Sequence, residues 1–369
     1  MSSASGAAAG HVAFVIPHPY VDALACFREP IKLLADEGWQ VDLYTMLSPL
    51  HPAPFFACDA VRLVPLEMTP AGVVTLFRQL TLRRPKYTWI VTVPQWGLHY
   101  AGLAARLAGI PVGCISDELR SDAEATTPVQ KQWRARERRA HRRCRWTIAL
   151  SQERADFIRE ENRLGAAHPI FIVPNAARGP AERLPSRYYQ DILRLPAASR
   201  VLLHAGSLWW TAANELIEST QDWTSDWFIV FQGRFAAPRN GPHDAPHVRL
   251  TEQVLPSSLL DYAASSATIG LALYDASRDN NRLMGTASGK LALYMKNALP
   301  VIATGQSGFG WLEREHCGAC VSSVREIPAA ADRIWRDYDA YVGNVRRYYD
   351  GQMEFETHFR PVAQLMAGA

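Results

Sequence analysis

Short apolar runs alternate with longer stretches of helical period along the whole chain. In the first half, the runs at 11–16, 41–45, 61–66, 89–93, 111–116, 146–150 and 170–173 are rich in branched and aromatic residues and predict strands. Amphipathic stretches at 30–37, 73–83, 100–108, 129–143 and 152–164 lie between them and predict helices. Pro30 near a predicted helix start and Gly38 just past its end are the expected punctuation. Strands that are apolar throughout, each followed by a helix, predict a parallel sheet covered on both faces.

The pattern lapses between Pro174 and Ser199, where Gly179 and prolines 174, 180, 185 and 196 mix with charge. It then restarts, with strands predicted at 201–204, 227–231, 247–250, 268–274, 300–304 and 319–322, and a helical tail from 327 to 359. The expectation is an α/β chain of two doubly wound, Rossmann-like domains: an N-terminal domain at 1–175, a linker at 176–199 and a C-terminal domain at 200–340. A final helix within 341–369 is expected to pack back toward the N-domain. Two such sheets in tandem predict a ligand cleft at their carboxyl ends.

A length of 369 residues suits two domains, and 48% apolar with 20% charged residues is globular. Lys and Arg number 39 against 36 Asp and Glu, a formal charge of +3 that gives no reason to expect nucleic acid. The basicity is local: residues 131–145 hold eight Lys/Arg and one acid, Glu137. That stretch reads as a solvated helix face or, with Trp133 and Trp146 flanking it, as a patch for an anionic membrane surface. Six scattered cysteines give no disulfide framework. Cys317 and Cys320 form a lone C-x-x-C, read as two small residues flanking a turn glycine rather than as a metal site. The Ser/Ala/Gly-rich start lacks the cationic and apolar regions of a signal peptide, and no run approaches the ~18 residues of a membrane span. A soluble, cytoplasmic protein is expected, with the basic stretch its one route to a membrane.

Ligands of doubly wound sheets bind in the loops after the strands. In the second half those loops hold Gly206 and Ser207, Arg234, Gln253 and Val254, Tyr274, and the segment from Asp279 to Lys290 with Asn281 and Arg282. Ser288-Gly289-Lys290 opens a predicted helix, Leu291-Ala292-Leu293-Tyr294-Met295. A helix N-terminus presents backbone amides and a positive dipole end to an anion, and Lys290 adds a full charge. It is not a Walker-type loop: Gly285 stands four positions before Gly289 where five are required, and Leu291 occupies the hydroxyl position.

The segment from Ser288 to Ile302 resembles the donor-site signature of GT-B glycosyltransferases, glycosyltransferase family four in particular. Ile172-Val173-Pro174-Asn175, Leu203-His204-Ala205-Gly206-Ser207-Leu208 and Ser257–Ala264, with its Leu-x-x-Tyr-Ala helix, resemble further stretches of that family in the same order. The resemblance implies the GT-B fold and transfer of a sugar from a nucleotide-activated donor. It implies a donor site drawn from Gly206, Ser207, Arg234, Gln253, Val254, Tyr274, Asn281, Arg282, Ser288, Gly289 and Lys290. It further implies retention of anomeric configuration, and no cofactor or metal beyond the nucleotide-sugar substrate. There are departures. Leu293 stands where the family carries a ribose-binding Glu, no cation follows the first C-domain loop at 209–214, and Ala298 replaces a glycine.

In the N-domain, His18 after the first strand, His99 beyond the 89–93 strand and Glu118 after the 111–116 strand are the candidate polar groups for the reacting centre. Glu118 is the preferred one, to orient an acceptor hydroxyl, and an inverting reaction would need it or His18 as base. The expected function is a glycosyltransferase acting on a glycan, lipid-linked saccharide or natural product, with polysaccharide assembly the first pathway to consider. Two other readings stand beside it: a nucleotide-sugar epimerase of the same fold, and a non-catalytic scaffold using its basic helix for partner or membrane binding.

Overall fold

A computed structural model describes residues 10–47, 56, 58–82, 87–206, 212–223, 226–233, 245–251 and 255–368. The chain divides into two compact units, one of Met1–Asn175 with Phe355–Ala369 and the other of Ala176–Glu354. The proline-rich stretch 176–199, read above as a connection, thus belongs with the second unit, as does the tail up to Glu354.

In the first unit seven strands form one parallel sheet: β1 (His11–Ile16), β2 (Gln40–Thr45), β3 (Val61–Pro65), β4 (Trp89–Thr92), β5 (Val112–Ser116), β6 (Trp146–Ala149) and β7 (Ile170–Ile172). Their order is β3-β2-β1-β4-β5-β6-β7, and every pairing is parallel. The crossovers include helices α1 (Ala25–Asp36), α2 (Pro70–Leu82), α3 (Trp96–Ala108), α4 (Pro128–His141) and α5 (Gln152–Glu161). All of β4, β5 and β6 is buried, as continuous apolar runs require when both faces are covered.

Helix α1 starts five residues before Pro30, which lies inside it rather than at its first turn. The reason is a distant cap. Asn175, at the end of the Val-Pro-Asn stretch, accepts the buried Cys26 amide through Oδ1 at 2.8 Å, satisfying a first-turn donor that no local side chain reaches. The last helix, Phe355–Ala367, closes this unit. Its Met366 carbonyl accepts the Trp89 indole at 2.9 Å, and Arg360 pairs with Glu37 at 2.7 Å.

The second unit holds β8 (Arg200–Ala205), β9 (Trp227–Gln232), β10 (Val248–Thr251), β11 (Ile269–Ala272), β12 (Val301–Thr304) and β13 (Gly318–Val321), in the order β10-β9-β8-β11-β12-β13, again all parallel. Strand order reverses between β8 and β11, so a crevice is expected at their carboxyl ends. Tyr294 sits directly beneath that point. Its buried hydroxyl accepts the Ala205 amide at 2.7 Å and donates to the Leu271 carbonyl at 3.2 Å, fastening the helix Gly289–Lys296 to both diverging strands. Gly270 makes room for the ring: a Cβ there would come within 2.1 Å of it. Gly270→Ala is therefore expected to destabilise this unit by about 2–3 kcal/mol through overpacking, read as a lower urea midpoint at unchanged m.

The predicted helical tail is interrupted. It runs as Ile327–Arg336, Tyr338–Tyr348 and a π-turn at Tyr349–Met353 before the closing helix. Ala298, at the position where the family resemblance expects glycine, adopts φ +55°, a left-handed conformation that costs an L side chain about 1–2 kcal/mol.

Candidate functional site

At the carboxyl ends of β8 and β9 the backbone is cleared of side chains. Gly206 (φ +115°) donates to the Gln232 carbonyl at 2.8 Å, and Gly233 (φ +150°) to the Thr251 carbonyl at 3.1 Å. A Cβ on Gly233 would stand 2.6 Å from the Gly206 oxygen, so the two turns approach closely only because residue 233 is glycine. Across the switch point, Gly285 (φ +42°) and Gly308 stack backbone to backbone, since a Cβ on either would lie 2.9 Å from the other's main chain. These contacts fix the loop that delivers Ser288 to the start of the helix Gly289–Lys296.

Ser288 is buried and caps that helix, its Oγ accepting the Leu291 amide at 3.1 Å and meeting the Tyr274 hydroxyl at 2.7 Å. Tyr274 is itself held from several sides. Its amide donates to Thr304 Oγ1 at 3.1 Å, its carbonyl accepts the Gln306 side-chain amide at 2.7 Å, and its ring stacks on Phe309. Lys290 lays its ammonium 4.6 Å from the centre of the Tyr274 ring and 3.4 Å from Nε2 of the fully buried His204 in β8. Burial pulls Lys290 down to about 7. A cation held in this way, beside a helix N-terminus and glycine turns, is suited to an anionic group that would restore its charge.

The structure thus brings Gly206, Tyr274, Ser288, Gly289 and Lys290 to one place. Asn281 and Arg282 lie in the short helix Asp279–Arg282, where the exposed Arg282 pairs with Asp279 at 2.6 Å. Ser207, Arg234, Gln253 and Val254 lie outside the described residues, as does the segment 209–211. Leu293, at the position of the family's ribose carboxylate, is half-buried against the apolar core. His204, Gln306 and Phe309 were not singled out from sequence. His204 follows the apolar run Val201–Leu203 in the strand that leads into Gly206.

At the carboxyl edge of the first sheet two consecutive carboxyls lie in different surroundings. Glu118 points to solvent, with its side chain 65% exposed and 3.8 Å from Arg120. Its neighbour Asp117 is the perturbed group: burial, then the charge of Glu118, pushes its carboxyl up to about 7. Arg154, fully buried, donates to the Asp117 carbonyl at 2.7 Å. Beside them Gln95 adopts φ +61° between β4 and α3, a strained conformation for a residue with a side chain. With its amide oxygen turned toward Arg120, Gln95 accepts from the guanidinium at 2.5 and 3.0 Å.

His18 is engaged locally, its Nδ1 accepting the Tyr20 amide at 3.0 Å. His99 packs its ring against Tyr100 and Trp133 on the α3–α4 side of the unit.

Cys317 and Cys320 do not flank a turn. Gly318 is the first residue of β13 and Cys320 lies within that strand. Burial raises the thiols to about 12 and about 11. Among the described residues no three His, Cys, Asp or Glu gather as metal ligands, and no helix is long and apolar enough to cross a membrane.

No protein-family model and no curated protein matches the sequence. Solved structures do. A glycosyltransferase from Rickettsia africae superposes with a TM-score of 0.71 at 9% identity, over 97% of this chain and 98% of its own. Anabaena HepE in complex with UDP-glucose gives 0.68 at 12%, over 98% and 100%. WaaG, a glycosyltransferase involved in lipopolysaccharide biosynthesis, gives 0.66 at 14%, over 97% and 100%. Two parallel sheets of seven and six strands, matched over nearly the full length of each of these proteins, give the chain the GT-B fold.

Proposed function

We propose that the protein is a glycosyltransferase that moves a sugar from a nucleotide-diphosphate donor to a hydroxyl acceptor. The observation that carries this reading is the half-buried Lys290 ammonium, held against the Tyr274 ring at a Ser288-capped helix start, beside the Gly206 turn at the switch point of the second sheet. In the chemistry proposed, the diphosphate seats on the amides around Gly289, Lys290 charges against it, and Tyr274 offers its ring and hydroxyl to the sugar-phosphate portion. The same groups stabilise the departing phosphate, so the reading asks for no metal. That solved neighbours hold UDP and UDP-glucose supports a uridine donor as the first to test. The acceptor is proposed to be a glycan, lipid-linked saccharide or natural product bound at the carboxyl edge of the first sheet.

The resemblance to family four favours retention, which needs no base opposite the leaving group. One observation favours the opposite outcome: Asp117, raised to about 7, has the protonation behaviour of a general base at neutral pH. NMR of the product anomer decides between them, and under inversion Asp117→Asn abolishes turnover while leaving nucleotide affinity intact. The donor reading itself is tested by thermal-shift titration across uridine, guanosine, adenosine and thymidine diphosphates and their sugars. One nucleotide class is expected to stabilise by about 2.7 kcal/mol at 100 times its dissociation constant. If no nucleotide moves the melting point at saturation, the donor reading is wrong.

A further inference from the structure

Helix α4 sorts its charges onto two faces. Arg134 and Arg138 turn inward, where Arg134 pairs with Glu137 at 2.8 Å and Glu161 at 3.4 Å, and Arg138 pairs with Asp122. Arg136 and Arg139 lie on the other side of α4, toward α3, with Arg143 just beyond the helix end, and among the described residues none of the three has an acidic partner. Between that face and α3 runs a groove of about 830 Å³.

The groove extends from His99, in the first turn of α3, to the starts of β4 and β5, the edge of the sheet opposite Asp117 and Gln95. Its floor is apolar, made of Trp89, Leu98, Leu103, Ile110 and Val112. Arg106 from α3 and Arg145, just before β6, join Arg136, Arg139 and Arg143 around it, and among the described residues no Asp or Glu lines it. Its volume falls within the ~300–1,000 Å³ of small-molecule sites. The floor rejects a hydrated polyanion, and five cations reject a neutral hydrocarbon.

We propose that this groove binds one molecule of an anionic phospholipid, its phosphate among Arg136, Arg139 and Arg143 and its chain along the floor between α3 and the strand ends. The arginine fork suits phosphate oxygens, and its stem covers apolar surface beside them. The site is a slot for an individual lipid rather than a flat charged face laid on a bilayer, and it does not depend on the donor reading. His99 serves as a built-in reporter. Burial, then the charges of Arg136 and Arg139, holds its pKa below the ordinary value, so a phosphate seated beside them must raise it.

Gly102 separates a slot from a face. It lies mid-helix in the groove wall, and a Cβ there meets nothing within 4 Å, so Gly102→Leu fills the slot while improving helix propensity and leaving every arginine in place. The probe is dihexanoyl phosphatidic acid below its micelle concentration, titrated by calorimetry into the full chain, with His99 followed by NMR. Expected are one-to-one binding, a raised His99 pKa, and at least tenfold weaker binding in both Gly102→Leu and the Arg139→Gln/Arg143→Gln double variant. Dihexanoyl phosphatidylcholine and inorganic phosphate are each expected to bind at least tenfold more weakly, and Lys290→Ala to bind the lipid as the wild type does. Undiminished binding by Gly102→Leu overturns the slot in favour of an open basic face. Inorganic phosphate binding as tightly as the lipid reduces it to a simple anion site. No binding by the wild type rejects it outright.

Discussion

Replacing Lys290 by alanine is expected to weaken nucleoside-diphosphate binding about 100-fold, because truncating one member of an enclosed charge pair costs roughly 2–5 kcal/mol. The accompanying pH dependence is more diagnostic than the loss itself. With its pKa near 7, Lys290 is about half charged at neutral pH in the unliganded protein. A bound diphosphate favours the charged form and returns the group toward the ordinary lysine range, so binding takes up a proton above pH 7. Affinity therefore falls by up to about tenfold per unit as pH rises above 7. The ligand's own second phosphate ionisation, near pH 6, lies below this window. Calorimetry in buffers of different ionisation enthalpy should register the uptake at pH 8, and Lys290→Met should abolish both uptake and slope. A wild-type slope that survives in Lys290→Met would assign the titration to another group and remove the central support for the donor site.

The second large effect concerns acid stability. His141 is fully buried at the end of α4, with Nε2 2.8 Å from Thr147 Oγ1 and Nδ1 3.1 Å from the Asn162 amide; Thr147 in turn meets His168 at 2.9 Å. Burial, with lesser repulsion from His168 and Arg134, lowers its pKa to about 3. The unfolded chain protonates this histidine near 6.5 while the folded chain resists until about 3. Stability is therefore intact above 6.5 and drains away as pH falls through that window, by about 3 kcal/mol at pH 4. His168, also lowered by burial, adds in the same direction. His141→Gln, which can still bond Thr147, should be less stable at pH 7 but lose markedly less between pH 6 and 4, as followed by urea denaturation at each pH. Parallel pH profiles for wild type and variant would show that the acid sensitivity lies elsewhere.

The fold was legible because buried parallel strands announce themselves as uninterrupted apolar runs. The strands described lie where runs rich in branched and aromatic residues predict them, and the misplaced start of α1 has a long-range cause. At α1 the missing signal was Asn175, 149 positions from the amide it caps. In the site, Ser288, Gly289, Lys290 and Gly206 could be found because glycine turns and a helix N-terminus are local in sequence. His204 and Phe309 join them through tertiary contact alone. Glu118 and Asp117 show the limit sharply: consecutive residues at a strand end project differently, and only packing decided which carboxyl was enclosed. The strain at Gln95 leaves no mark in composition, and neither does the division of the α4 arginines into paired and groove-facing sets.

The indole of Trp89 donates to a carbonyl 277 residues further along the chain. The first unit is therefore first only in name. During synthesis its strands and crossover helices emerge early, yet the helix Phe355–Ala367 that covers the sheet beside α1 arrives only after the whole second unit. The second unit, contiguous from Ala176 to Glu354, has every residue it needs before that helix is made. The order of completion on the ribosome is thus the reverse of the order in the sequence, and in that interval the unfinished sheet is the part a chaperone would find.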